Sequence, residues 1–201
     1  MKPLKTIGHS SLEPEIFVQI LKKFDIEILA DVRSVPYSRF ASAFNKEPLA
    51  KFLHANDIRY IYIGDLLGGR FEPKFFDRNG ELDTQKLFTS DKFSAGIKQI
   101  LDLATNFNVC LMCAEQDPLK CHRFGVISQF LSLNFRDVEV SHIVPSSNSQ
   151  IFTLAFQKEL EAKILDKFCG ESRLNLYDEN DELASAYAGL NKALGYKRAD
   201  I

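Results

Sequence analysis

The feature that most constrains this chain is an alternation. Five short apolar runs, over residues 4–7, 26–30, 59–63, 109–113 and 138–142, are separated by stretches that, for the most part, repeat apolar residues at helical spacing. Runs this short, rich in Ile, Val and Leu, fit strands buried on both faces. The first helix carries Ile16, Phe17, Ile20, Leu21 and Phe24 on one face, with Ser10 or Ser11 as cap and Glu13 and Pro14 in its first turn. A second, over 47–55, packs through Leu49, Phe52 and Leu53, and a third, over 91–107 with Ser90 as cap, turns Phe93, Ile97, Ile100, Leu101 and Ala104 inward. Strands alternating with helices argue for an α/β fold with a mainly parallel sheet of about five strands and flanking helices. A doubly wound sheet is the first choice of topology, an incomplete barrel the second. Residues 152–168 and 181–194 read as two C-terminal helices joined across 170–173. The chain is thus expected to be a single domain over 1–201, with a core at 4–145 and a helical appendage at 150–201.

Hydrophobic residues make up 45% of the 201, enough for a full core in one domain. A net charge of −2 excludes a chain-wide basic field of the kind that holds duplex DNA. Residues 1–6 lack the apolar core of a signal peptide, and no apolar run is long enough to span a bilayer. Four cysteines in a chain this size do not make a disulfide framework, so the expected location is the reducing cytoplasm.

The densest chemistry lies in Cys113-Ala-Glu-Gln-Asp-Pro-Leu-Lys-Cys-His-Arg123. It follows the fourth apolar run and holds two thiols, a carboxylate, an imidazole and a guanidinium. Asp117-Pro118 gives a helix start, with Asp as cap and Pro at the first helical position. This sets Cys121, His122 and Arg123 in or just past the first turn, where unpaired N–H groups and the helix dipole favour an anion. The other proposed strands also end in polar chemistry: His9-Ser10, Asp31 with Arg33, the Gly-containing loop with Arg70, and His142. Ligands of open α/β sheets bind outside the carboxyl ends of the strands, so these residues are expected to share one edge.

Four motifs in order, Thr6-Ile-Gly-His-Ser10, Asp31-Val-Arg-Ser-Val-Pro-Tyr-Ser-Arg39, Leu67-Gly-Gly-Arg70 and Leu111-Met-Cys-Ala-Glu-Gln-Asp-Pro-Leu-Lys-Cys-His-Arg123, resemble the signature of the domain of unknown function 488 family over about 5–145. The resemblance implies a small cytoplasmic α/β protein in which the motif residues form one site. It supplies no reaction, and it does not reach the C-terminal helices.

Asp31 and Arg33, two apart on an extended segment, point the same way. Arg33 and Arg39 would suit a phosphate or carboxylate; alternatively Asp31 pairs with one of them as a structural ion pair. Cys113 and Cys121 admit three readings: a low-pKa nucleophile or redox thiol at Cys121, a zinc site with a histidine, or small buried hydrophobes. Cys110 falls on the opposite strand face, and the spacing matches no standard zinc pattern. Glu115 is a candidate general acid or base, or a partner of Arg123. His9 would contact substrate or fix the first loop. Tyr37-Ser-Arg-Phe40 and Arg70-Phe-Glu-Pro-Lys-Phe-Phe76 mix bases with aromatics, as stacking platforms for nucleobases do. Residues 31–78 hold eight Lys/Arg against six Asp/Glu, a surplus of two, which limits the case for nucleic acid. Fingerprints for nicotinamide or flavin, for a P-loop and for a serine-hydrolase elbow are missing.

The leading reading is an enzyme acting on a small anionic or nucleotide-like substrate, with a base in nucleic acid as one form of it. Its catalytic residues would be Asp31, Glu115, His9, His122 and Cys121. Ser10, Arg33, Tyr37, Arg39, Arg70, Cys113 and Arg123 would bind substrate. No metal and no cofactor are expected, nor a membrane partner, and the sequence is silent on oligomeric state. The competing readings are a non-catalytic module binding nucleic acid or a metabolite, and a cysteine-based redox or zinc switch.

Overall fold

The computed structural model describes residues 1–135, 137–146, 151–170 and 179–196. Its strands are β1 (Leu4–Gly8), β2 (Ile28–Asp31), β3 (Arg59–Tyr62), β4 (Val109–Cys113), β5 (Val140–Pro145) and β6 (Phe152–Phe156). They form one sheet in the order β3-β2-β4-β1-β5-β6. All neighbours are parallel except β5 and β6. The sheet is open, with β3 and β6 at its edges, which removes the barrel alternative.

Alternate residues of each strand face opposite layers. Ile7, Leu29, Cys110, Met112 and Ile143 pack against α1 (Pro14–Lys23) and α2 (Lys46–His54) through Phe17, Leu21, Leu49 and Leu53. Leu4, Ile28, Ala30, Leu111 and Cys113 face the other way, against Phe93, Ile97 and Ile100 of α5 (Asp91–Ala104) and Ile127 and Leu131 of the helix after β4. Helices on both faces make the sheet doubly wound. Ser90 caps α5 as its sequence predicts, accepting from Phe93 N at 3.4 Å. Neither Ser10 nor Ser11 caps α1: Glu13 stands at the cap position without a side-chain bond.

Three expectations need correction. Residues 152–156, read as the start of a helix, form β6: Phe152 and Leu154 pack on the α1 layer while Ala155 faces the opposite side, a period of two. The helix proper, α7 (Gln157–Phe168), follows. β5 runs on to Pro145, so His142 sits within a strand, not at its end. The long connection from Gly64 holds α3 (Gly64–Leu67), a 3-10 turn (Pro73–Phe75) and α4 (Thr84–Phe88), and it buries Phe71, Phe75 and Phe76 in the core.

The C-terminal helices α7 and α8 (Glu179–Leu194) pack on each other, α7 also on β5 and β6 and α8 on the helix after β4. Leu160, Ile164, Ala186, Tyr187 and Leu190 form a third apolar cluster around Phe124. The proposed joint at residues 171–173 lies outside the described residues.

Candidate functional site at the carboxyl edge

The turn after β4 is built by its own sequence. Asp117 accepts from Leu119 N at 3.0 Å and Pro118–Lys120 form a single 3-10 turn. Cys121 is extended, with φ −139° and ψ 144°, so it stands just past this turn and before the helix proper. The helix opens with a π-helical stretch, Arg123–Ser128, before α6 (Gln129–Asn134); Ser128 Oγ donates to the Arg123 carbonyl at 2.8 Å. Such wide turns concentrate at functional sites.

Arg123 is fully buried and is committed inside the protein. Its guanidinium donates to the carbonyls of Glu115 and Gln116 and to Thr6 Oγ1. It therefore fastens the turn to β1 and does not reach toward a ligand. Thr6 Oγ1 lies 2.8 Å from His142 Nδ1, and His142 Nε2 lies 2.7 Å from Gln157 Oε1. Gln157 and Tyr187 both donate to Glu161 Oε1, at 3.0 and 2.8 Å. A buried polar chain thus links the motif to α7 and α8. Burial, with the nearby Arg123 charge, lowers the His142 pKa to about 4.

Asp31 and Arg33 form a buried ion pair, the structural alternative raised by their spacing. Arg33 Nη2 meets Asp31 Oδ2 at 2.6 Å and Arg33 Nε meets Oδ1 at 2.9 Å. Tyr60 OH and the Arg33 backbone N–H complete the shell of the carboxylate, at 2.7 and 3.0 Å. Arg33 also donates to the Phe44 carbonyl and, through Nη1, to His9 Nε2 at 3.1 Å. Burial alone would lower the Arg33 pKa, but the bonds and charge of Asp31 outweigh it and hold the guanidinium charged. His9 keeps its proton on Nδ1, bonded to the Ser10 carbonyl at 3.0 Å, and stacks on Phe44 with centroids 4.3 Å apart. Burial and then Arg33 lower its pKa to about 4, so the imidazole is neutral.

His9 and Cys113 lie side by side, with His9 N bonded to the Cys113 carbonyl at 3.0 Å and Ser10 N to the Ala114 carbonyl at 2.8 Å. Ser10 adopts a positive φ of 45° to make this contact. Gly8 is required here, because a Cβ would stand 2.8 Å from Gln116 Cα and closer still to the Glu115 carbonyl.

Cys113, Cys121 and His122 converge, all buried. His122 Nδ1 is 3.7 Å from each sulfur, and its Nε2 is 3.1 Å from the Val32 carbonyl. The hydrogen bond between the thiols, then burial, pushes Cys113 up. Burial opposes ionisation of Cys121 as well, but the same bond and the neighbouring His122 and Arg123 bring it well below the usual thiol range. Cys110 lies on the opposite face, among Met112 and Leu29.

The remaining motif residues form an exposed rim. Glu115, Arg39 and Arg70 are exposed, Tyr37 is 67% exposed, and Phe40 is fully so. The two rim loops meet where Ser34 Oγ accepts from Arg70 N at 2.8 Å. Arg70, Ser90 and Lys92 help line a small cleft between α3 and α5, which His9, Asp31 and Cys113 do not reach.

Sequence reasoning missed Tyr60, and it placed Gly69 in a motif without giving it a task. Tyr60 reaches Asp31 from the neighbouring strand, and its own signal was only an alternation with Tyr62. Gly69 lies over His122: a Cβ there would come within 2.7 Å of Nδ1.

No curated protein and no solved structure matches the chain. The family model described as domain of unknown function DUF488 matches residues 13–131, more than half of the chain and the stretch from α1 into α6, and the chain belongs to that family.

Proposed function

We propose that the protein is an enzyme acting on a small anionic or nucleotide-like group, a base in single-stranded nucleic acid included, bound at the carboxyl edge of the sheet. The observation that carries this reading is the Tyr37–Phe40 loop. It holds two exposed aromatic rings on either side of Arg39, on a segment anchored at Ser34, at Asn45 through Ser38 N and at Phe44 through Arg33. An anchored loop with bare rings beside a cation suits stacking on a base and pairing with its phosphate. Arg70, from the adjoining loop, supplies the second cation. Glu115, exposed beyond β4, is the group suited to moving a proton. Asp31, Arg33, His9 and Arg123 hold the frame, since their donors and acceptors are spent on one another and on the backbone.

The competing reading is binding without turnover, and one observation favours it: of the two candidate catalytic carboxylates, Asp31 is enclosed and Glu115 alone faces solvent. Thermal shift against nucleotides, inorganic phosphate and short oligonucleotides tests both. Stabilisation by a nucleotide or oligonucleotide, lost in Arg39→Ala and Phe40→Ala, supports the site. Chemical change of that ligand, abolished in Glu115→Gln with binding retained, supports catalysis. Binding without change selects the module, and no stabilisation by any of these ligands rejects both.

A further inference from the structure

From the geometry of the three buried groups behind the rim, we propose a metal site: a zinc-class divalent cation held by Cys113 Sγ, Cys121 Sγ and His122 Nδ1. This reverses the expectation drawn from the sequence, where the cysteine spacing fitted no zinc pattern.

The first argument is distance. Tetrahedral zinc with Zn–S of about 2.3 Å and Zn–N of about 2.0–2.1 Å has an S···N edge of about 3.6 Å. Both sulfurs stand 3.7 Å from Nδ1, and all three donor atoms lie within 4.8 Å of one another. Nδ1 therefore faces both sulfurs at the edge length of a coordination tetrahedron.

The second argument is the tautomer. His122 Nε2 faces the Val32 carbonyl at 3.1 Å and carries the proton, which leaves the Nδ1 lone pair toward the sulfurs. Metal-bound histidines are oriented in this way, by a carbonyl or carboxylate on the far nitrogen.

The third argument is the support. Arg123 fixes the turn between the two cysteines by its bonds to Glu115 and Gln116, and Cys121 is held extended before the helix begins. Gly69 lies against Nδ1 so closely that no larger residue fits. Each donor is thus set by an element of its own: Cys113 by the end of β4, Cys121 by the 3-10 turn, His122 by the helix start.

Two thiols and an imidazole select a borderline or soft cation over magnesium or calcium. Both sulfurs ligate as thiolates, and any proton they carry in the metal-free protein leaves to solvent on binding. Three protein donors leave a fourth position for water or an exogenous ligand. The site is independent of the rim proposed above, because neither Arg39 nor Phe40 is a ligand.

The test is titration of the reduced, metal-stripped protein with cobalt(II), followed by competition with zinc against a chromophoric chelator. Expected are thiolate-to-cobalt charge-transfer absorption, the intense ligand-field bands of tetrahedral cobalt, one equivalent bound, and displacement by zinc. Cys121→Ser and His122→Ala should lose these bands, whereas Cys110→Ser and Cys169→Ser should keep them. Circular dichroism of each variant separates loss of the site from loss of the fold. For any variant that unfolds, stoichiometric zinc in the wild type, measured by native mass spectrometry, stands as the second readout. Failure of the reduced, folded wild type to bind either metal overturns the proposal. So do a Cys113–Cys121 disulfide whose reduction restores no metal binding, and bands that survive in a folded Cys121→Ser.

Discussion

Gly8 and Glu115 touch through their backbones. β1 and β4 continue to pair past their last strand residues, and the Glu115 carbonyl sits where a Gly8 side chain would begin. Gly8→Ala should therefore cost about 3 kcal/mol, the upper end for overpacking, since backbone and not a flexible side chain must give way. Gly170→Ala is the control: nothing lies within 4 Å of its Cβ, and only its φ of +51° is strained. Urea unfolding of the two variants should rank them in that order.

The buried pair of Asp31 and Arg33 makes a second prediction. Asp31→Ala leaves a buried guanidinium without its counter-charge and should destabilise by about 3–5 kcal/mol. Tyr60→Phe removes one bond to a charged acceptor and should cost about 1.5–3 kcal/mol. In the double variant the two losses should add to less than their sum, because both act on the same carboxylate. Denaturant midpoints would show this.

The buried histidines make the protein acid-sensitive. His9 and His142 each titrate at about 4 in the fold against 6.5 when unfolded. Below pH 6.5 the unfolded chain takes up the proton and the native state does not, so stability falls as pH falls from about 6.5 to about 4. At about 1.4 kcal/mol per unit the loss is about 3 kcal/mol for each histidine. Melting temperatures across this window should drop steeply in the wild type and less steeply in His142→Gln. An unchanged slope in that variant would remove His142 from the account.

Gly69 packs on the His122 ring that faces both thiols. Gly69→Ala would push the loop off His122 and expose Cys113 and Cys121, while destabilising by about 1–3 kcal/mol. In the unfolded-free native protein without metal, Cys169, the half-buried thiol, should react first with a disulfide reagent and the other three slowly. In Gly69→Ala, two further thiols should join the fast phase.

The rim makes the opposite prediction. Phe40→Ala and Arg39→Ala remove exposed groups, so each should change stability by no more than about 0.5 kcal/mol. Any larger loss would give the loop a structural task and weaken the ligand reading.

The strands and their shared edge were legible because a short apolar run between helices has few alternative uses. The match of 109–113 to β4 is complete. Strand order was not legible, since it depends on which runs meet in space. β6 was missed because Phe152-Thr-Leu-Ala-Phe156 merges into a helical pattern with no break residue between them. At the site, the sequence could not divide its candidate residues into frame and rim. Arg33, Arg39 and Arg123 look alike in a sequence. Their difference lies in partners contributed by Phe44, Thr6 and Gln116, and only folding brings those partners near.

The position of β4 also bears on how the protein is made. β4 lies between β2 and β1, so those two strands, although synthesised first, never touch. While the ribosome is still short of residue 109, β1 has neither of its parallel neighbours, and β2 has only β3. The nascent chain must carry an apolar strand with both edges open until residues 109–113 are made. Chaperone dependence, and sensitivity to the speed of translation, are then expected to end when residues 109–145 have emerged and β4 and β5 close around β1.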